Sequence, residues 1–157
     1  MRLTKKKLTI NKMKLDSKGF SDLHRREGLR LSPYLDTKGI PTIAMGNTFY
    51  TDGTKVTMKD KKLTLLQANI LADVVATSFA IQVDKMVKSK VTQNQFNNLV
   101  SIAYNIGLEG FKTSTFLRLV NTNPKDHNIA SAIMMWVKDI ELVPRRCDEV
   151  IGYFSAR

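Results

Sequence analysis

The stretch Glu27-Gly28-Leu29-Arg30-Leu31-Ser32-Pro33-Tyr34-Leu35-Asp36-Thr37-Lys38-Gly39-Ile40-Pro41-Thr42-Ile43 decides how this chain folds. If a helix ran on from Glu27 through Asp36, nine residues at about 100° each would set the two acids on opposite faces, roughly 13 Å apart along the axis. Pro33, which has no N–H, argues for an end or kink before that point, and Thr37-Lys38-Gly39 supplies a tight turn. The chain can then reverse and bring Asp36 and Thr42 across from Glu27, with two carboxylates and a hydroxyl flanking one cleft.

Upstream of this stretch, Ser17 to Glu27 reads as a first short helix with Ser17 as N-cap and Phe20 and Leu23 facing inward. Downstream, Tyr34 to Met58 has no helical period and carries short β-prone runs, with Asp52-Gly53 at a hairpin tip. Thr64-Leu65-Leu66-Gln67 is a capping-box pattern opening a long helix to about Lys88, with a stripe of Leu71, Val75, Phe79, Val83 and Met86. Thr92-Gln93-Asn94-Gln95 repeats the box before a helix stopped at Asn105-Ile106-Gly107. A further helix is expected over Phe111 to Val120. Pro124 is placed as a first helical residue for a segment carrying Ile129, Ile133 and Trp136, and Pro144 for a last helix to about Phe154. The fold class is α+β and mainly helical: a small antiparallel sheet lobe at about 30–60, a long connecting helix, and a helical lobe at about 64–157. Residues 1–16 read as a basic tail ahead of a domain at 17–157.

At 157 residues the chain can bury a real core. A single Cys147 closes no internal disulfide and reads as a small buried hydrophobe, and no cysteine and histidine cluster has metal-site spacing. Neither a metal nor a cofactor is expected. His24 and His127 show no partner pattern, and Met134-Met135 and Trp136 read as packing. The net charge of +11 draws the protein toward polyanions without choosing among them. No helix-turn-helix, zinc or aromatic-basic strand pattern supports specific nucleic-acid binding. The basic start, Met1 to Lys14, is followed by no apolar run or cleavage site, so an export signal is not expected, and nothing in the chain reads as a membrane span.

Several ordered motifs resemble the phage-type lysozymes, the endolysins and muramidases of the T4 lysozyme kind. They are Glu27 to Leu31, Tyr34-Leu35-Asp36, Gly39 to Ile43 and Gly46-Asn47-Thr48, then Thr92 to Phe96, Tyr104 to Gly107, Phe111 to Thr115 and Arg145-Arg146. The resemblance covers about Ser17 to Phe154 and implies a lysozyme-like fold. It implies hydrolysis of the β-1,4 bond between N-acetylmuramic acid and N-acetylglucosamine in bacterial peptidoglycan. Glu27 would be the general acid, Asp36 the base that activates water, and Thr42 the hydroxyl that holds that water. Inversion is expected if the carboxylates stand about 6.5 to 9.5 Å apart. Thr48, Tyr104 and Ser114 match positions lining the saccharide cleft, although Tyr104 taken alone reads as a core aromatic. A monomer is expected, made in the bacterial host cytoplasm and reaching the wall by another route.

Departures from the family pattern keep a second function open, a weakly active or inactive peptidoglycan-binding relative with a polycationic surface. Ala44 stands where relatives usually have glycine; it costs about 1 kcal/mol if φ is positive there, and narrows the cleft if substrate passes close. Asn47 stands where many have histidine. Arg26 adjoins the acid and is expected to point away from it. Val137 to Pro144 is shorter than the usual loop and lacks glycine.

Overall fold

The computed structural model describes residues 12–156. Most of the expected basic tail lies outside them, but its end is packed: the Met13 N–H donates to Asp84 at 2.9 Å, and Leu15 joins the core. Helix α1, Ser17–Glu27, is capped by Asp16, whose carboxylate accepts from the Gly19 N–H. Ser17 is its first residue and not its cap; aspartate and serine cap about equally well, and the sequence offers both side by side.

α1 ends at Glu27 as expected, with Gly28 as its C-cap. Gly28 adopts φ 73° and ψ 146°, a conformation closed to ordinary side chains. Pro33 lies inside strand β1, Arg30–Leu35, which pairs antiparallel with β2, Pro41–Ala44, with a register shift between Arg30 and Tyr34. A residue with no N–H to give the ladder fits such an irregularity in an edge strand. The sheet starts at Arg30, where the lobe was expected to begin, and is smaller than expected, since among the described residues only isolated bridges at Ile43–Asn47 and Phe49–Lys55 extend it. Asp52-Gly53 does form the expected tip, with Gly53 at φ 85° donating to the Tyr50 carbonyl at 3.0 Å.

Helix α2, Leu65–Met86, opens with the complete Thr64/Gln67 capping box. Its buried face is mostly alanine: Ala68, Ala72, Ala76 and Ala80 recur every four residues beside Leu71 and Val83. Val75, Phe79 and Met86 of the expected stripe lie at its margin. The expectation that nothing could span a membrane needs correcting on length and composition. α2 has a window of mean hydropathy 1.3, apolar enough to cross one, although 33% of that window is buried inside this fold.

Helix α3, Gln93–Ile106, is the axle of the helical lobe. Its second capping box is complete, Gly107 at φ 85° stops it, and every residue from Asn94 to Ala103 is buried. The expected single helix at Phe111 to Val120 is two, α4 (Leu108–Lys112) and α5 (Thr115–Thr122). The break comes at Ser114, whose hydroxyl accepts from the Leu117 N–H and so starts a new helix. Helix α6, Asn128–Met134, begins four residues after Pro124 and ends before Trp136. Pro124 instead offers its carbonyl to Gln95 and Tyr153. Helix α7, Val143–Phe154, has Pro144 in its first turn as expected.

α7 lies against α3 across Gly152. A Cβ on Gly152 would meet Asn98 Nδ2 at 2.5 Å. Asn98 has little room to move, because it donates to the Asn94 carbonyl and accepts from Arg26. Gly152→Ala is therefore expected to destabilise the protein by about 1–3 kcal/mol, the usual cost of overpacking, as read from a denaturant midpoint. An unchanged midpoint would show that the α3–α7 contact yields.

Candidate active site

Glu27 is the last residue of α1, so its side chain leaves the helix where Gly28 turns the backbone toward the hairpin. Its carboxylate is largely covered, with 18% of the side chain exposed, and Oε1 accepts from Arg145 Nη2 at 2.5 Å. Arg145 lies in the first turn of α7. Burial works to lower its pKa, and the hydrogen bond and charge of Glu27, together with Glu149, outweigh that and raise it. Arg145 is a fixed cation beside the candidate acid.

Behind it stands a buried charge network. Glu149 Oε1 accepts from Arg145 Nε at 3.0 Å and from the Ser101 hydroxyl at 2.7 Å, while Oε2 accepts from Arg146 Nη1 at 2.6 Å. Arg146 also donates to the Trp136 carbonyl and to Asn105. Arg146 and Glu149 are each 0% exposed. Neither Arg145 nor Glu149 was among the candidate site residues. The signal was present as Arg-Arg-x-x-Glu at helical i,i+3 and i,i+4 spacing on the α7 face that also buries Tyr153.

Arg26 does point away from Glu27, reaching Asp148 at 2.9 Å and Asn98 at 3.0 Å. Burial favours the neutral acid at Asp148, yet the hydrogen bonds and charges of Arg25 and Arg26 hold its carboxyl below the ordinary range.

Asp36 closes the hairpin between β1 and β2. Its Oδ1 accepts from the N–H groups of Lys38 at 2.8 Å and Ile40 at 2.9 Å, a side-chain cap over a turn in which Gly39 has φ 75°. Thr42 pairs with Tyr34, and the period of two along each strand puts Tyr34, Asp36 and Thr42 on one face. Thr42 is buried, and its hydroxyl donates to the Ile40 carbonyl at 2.9 Å, which leaves its lone pairs to accept.

Tyr104 of α3 joins the two sides. Its hydroxyl donates to the Met45 carbonyl just past β2, and its ring lies 4.8 Å from that of Phe79. Burial first, then the charge of Glu27, push its phenol far up; Tyr34 adds to the shift and Arg145 opposes it. Thr48 is half-buried in the loop after β2. Ser114 is buried, and its hydroxyl is committed to Leu117 and to the Phe111 carbonyl.

Ala44 has φ 55°, alone among the described non-glycine residues in being positive. Its methyl does not narrow a cleft, because it is 1% exposed and packs with Ile43, Val56, Ala68 and Leu71. Relief of backbone strain, about 1–2 kcal/mol, is nearly balanced in Ala44→Gly by the lost methyl burial and the freer unfolded chain. That variant should stay within about 1 kcal/mol of the parent and keep its hydrolytic rate; a large gain in rate would put the methyl in the substrate's path. Asn47 ties the hairpin to α2, donating to the Leu71 carbonyl at 3.2 Å.

One expectation elsewhere is corrected. Cys147 is exposed, because α7 turns it outward between buried Arg146 and Glu149. His24 Nε2 lies 2.8 Å from Asp73 Oδ1, an approach without hydrogen-bond geometry.

The sequence model of the phage lysozyme family matches residues 24–149. The endolysin of Salmonella phage P22 is 35% identical over 156 residues, spanning 91% of this chain and 99% of its own. The solved endolysin from Escherichia coli O157:H7 phage FAHEc1 superposes with a TM-score of 0.82 at 35% identity, covering 91% of this chain and 94% of that one. The muramidase domain of SpmX from Asticaccaulis excentricus gives 0.75 at 28% identity, covering 91% and 99%. With the family model spanning α1 to α7 and the acid, hairpin and arginine pair in place, this chain belongs to the phage lysozyme family.

Proposed function

We propose that this lysozyme-family glycoside hydrolase cleaves the β-1,4 bond between N-acetylmuramic acid and N-acetylglucosamine in peptidoglycan with inversion. Glu27 acts as general acid, and Asp36 and Thr42 act on the water. The observation that carries the reading is the pairing of an anchored Glu27 at the end of α1 with a hairpin face that presents Asp36 and Thr42. Arg145 fixes Glu27 through Oε1, and the proton on the other oxygen passes to the departing glycosidic oxygen. Asp36 uses Oδ1 to hold its turn, so Oδ2 faces the water and takes its proton. Thr42 accepts the second hydrogen of that water and leaves the water lone pair aimed at the anomeric carbon.

Thr48, Tyr104 and Ser114 line the saccharide cleft in this reading. The Tyr104 and Ser114 hydroxyls are committed within the protein, so these two shape the wall. The protein works as a monomer, since both sides of the site come from one chain, and it acts on the bacterial cell wall. Proton NMR of a short peptidoglycan glycan during early turnover tests the stereochemistry. The first new reducing-end signal should be the α-anomer, and an initial β-anomer would contradict the assigned role of Asp36.

A further inference from the structure

We propose that the outer face of α2 is a binding surface for anionic lipid bilayers. α2 is apolar on both sides. Its alanine face enters the core, and almost diametrically opposite, at helical spacing, stand Leu66, Ile70, Val74 and Ile81, which are 40–69% exposed. A surface helix normally turns polar residues outward, and this one keeps four large aliphatic side chains in water along about 22 Å of its length.

The surroundings of the stripe say what fits it. Lys59, Lys61 and Lys62 are exposed just before α2, and Lys85, Lys88 and Lys90 are exposed at and beyond its end, with Lys85 one turn past Ile81 on the same side. Of the acids nearest the stripe, Asp84 accepts from the Met13 N–H and Asp60 accepts from Tyr50 and Thr57, while Asp73 stands at its edge with Oδ1 turned toward His24 Nε2. An apolar strip bounded by lysines suits the interface of a bilayer, where aliphatic side chains enter the acyl boundary and long cationic side chains reach headgroup phosphates. A second copy fits less well. Both ends of the strip are cationic, so stacking two strips in either direction sets lysines against lysines.

Co-flotation with phosphatidylglycerol-containing vesicles and with pure phosphatidylcholine vesicles tests this, using the whole chain and the double variant Ile70→Gln/Val74→Gln. Both positions are more than half exposed, so the variant should keep the parent's melting curve and its rate on soluble glycan fragments. The parent should bind the anionic vesicles at physiological salt, and the variant should bind about tenfold or more weakly. Equal binding of parent and variant would overturn the proposal, as simple polycation attraction. Concentration-dependent dimerisation that the variant abolishes would overturn it in favour of a second copy.

Discussion

Glu27→Gln is expected to lower reducing-end release from purified peptidoglycan by roughly 10²–10⁴-fold, the usual worth of a positioned general acid. Glutamine keeps the shape and can still accept from Arg145 through its amide oxygen, so the α1–α7 contact survives. What it lacks is a proton to give the leaving oxygen. Loss of activity with an unshifted melting temperature is the expected pair of results. A fully active Glu27→Gln would remove the proposed mechanism, and an inactive but unfolded one would show that Glu27 mainly supports the fold.

Glu149→Gln should be the most destabilising single change. Glu149 neutralises Arg146 at 0% exposure and holds Arg145 from behind, and breaking a buried pair by removing one partner costs about 3–5 kcal/mol. For a chain of this length that corresponds to a fall of roughly 6–20 °C in melting temperature. Arg145 would also lose one of the contacts fixing it beside Glu27, so the rate measured well below the melting temperature should fall too. Calorimetry together with a rate assay on the folded variant checks both. A shift below about 1 kcal/mol would mean that Ser101, Asn105 and the Trp136 carbonyl suffice to hold the arginines.

Much of this was legible in the sequence because the signals were local. Two capping boxes located the starts of α2 and α3, Gly107 located an end, and Pro144 located the start of α7. The misreadings also have local causes. Asp16 and Ser17 are competing caps one residue apart. Pro33 was read as a helix breaker and is a strand residue at a register shift. Ser114 looked like a residue within a helix and is a cap between two helices.

The candidate site divides the same way. Glu27, Asp36 and Thr42 lie within one short stretch, so spacing and turn residues were enough to group them. Arg145 lies 118 positions from Glu27, and only the packing of α7 on α3 and α1 brings it there. Composition could not reveal that Glu149 is buried between two arginines, since charged residues at i,i+3 and i,i+4 more often lie on a solvated face. The alanine face of α2 was hidden because the larger Val75 and Phe79 dominate a reading by hydrophobic size.

Identification of the new reducing sugar tests the central claim most directly. Purified peptidoglycan digested by the parent and by Glu27→Gln is reduced with borohydride and hydrolysed to its sugar alcohols. The account predicts muramic-acid-derived alcohol from the parent and almost none from the variant. Glucosamine-derived alcohol, or the same yield from both proteins, would contradict it.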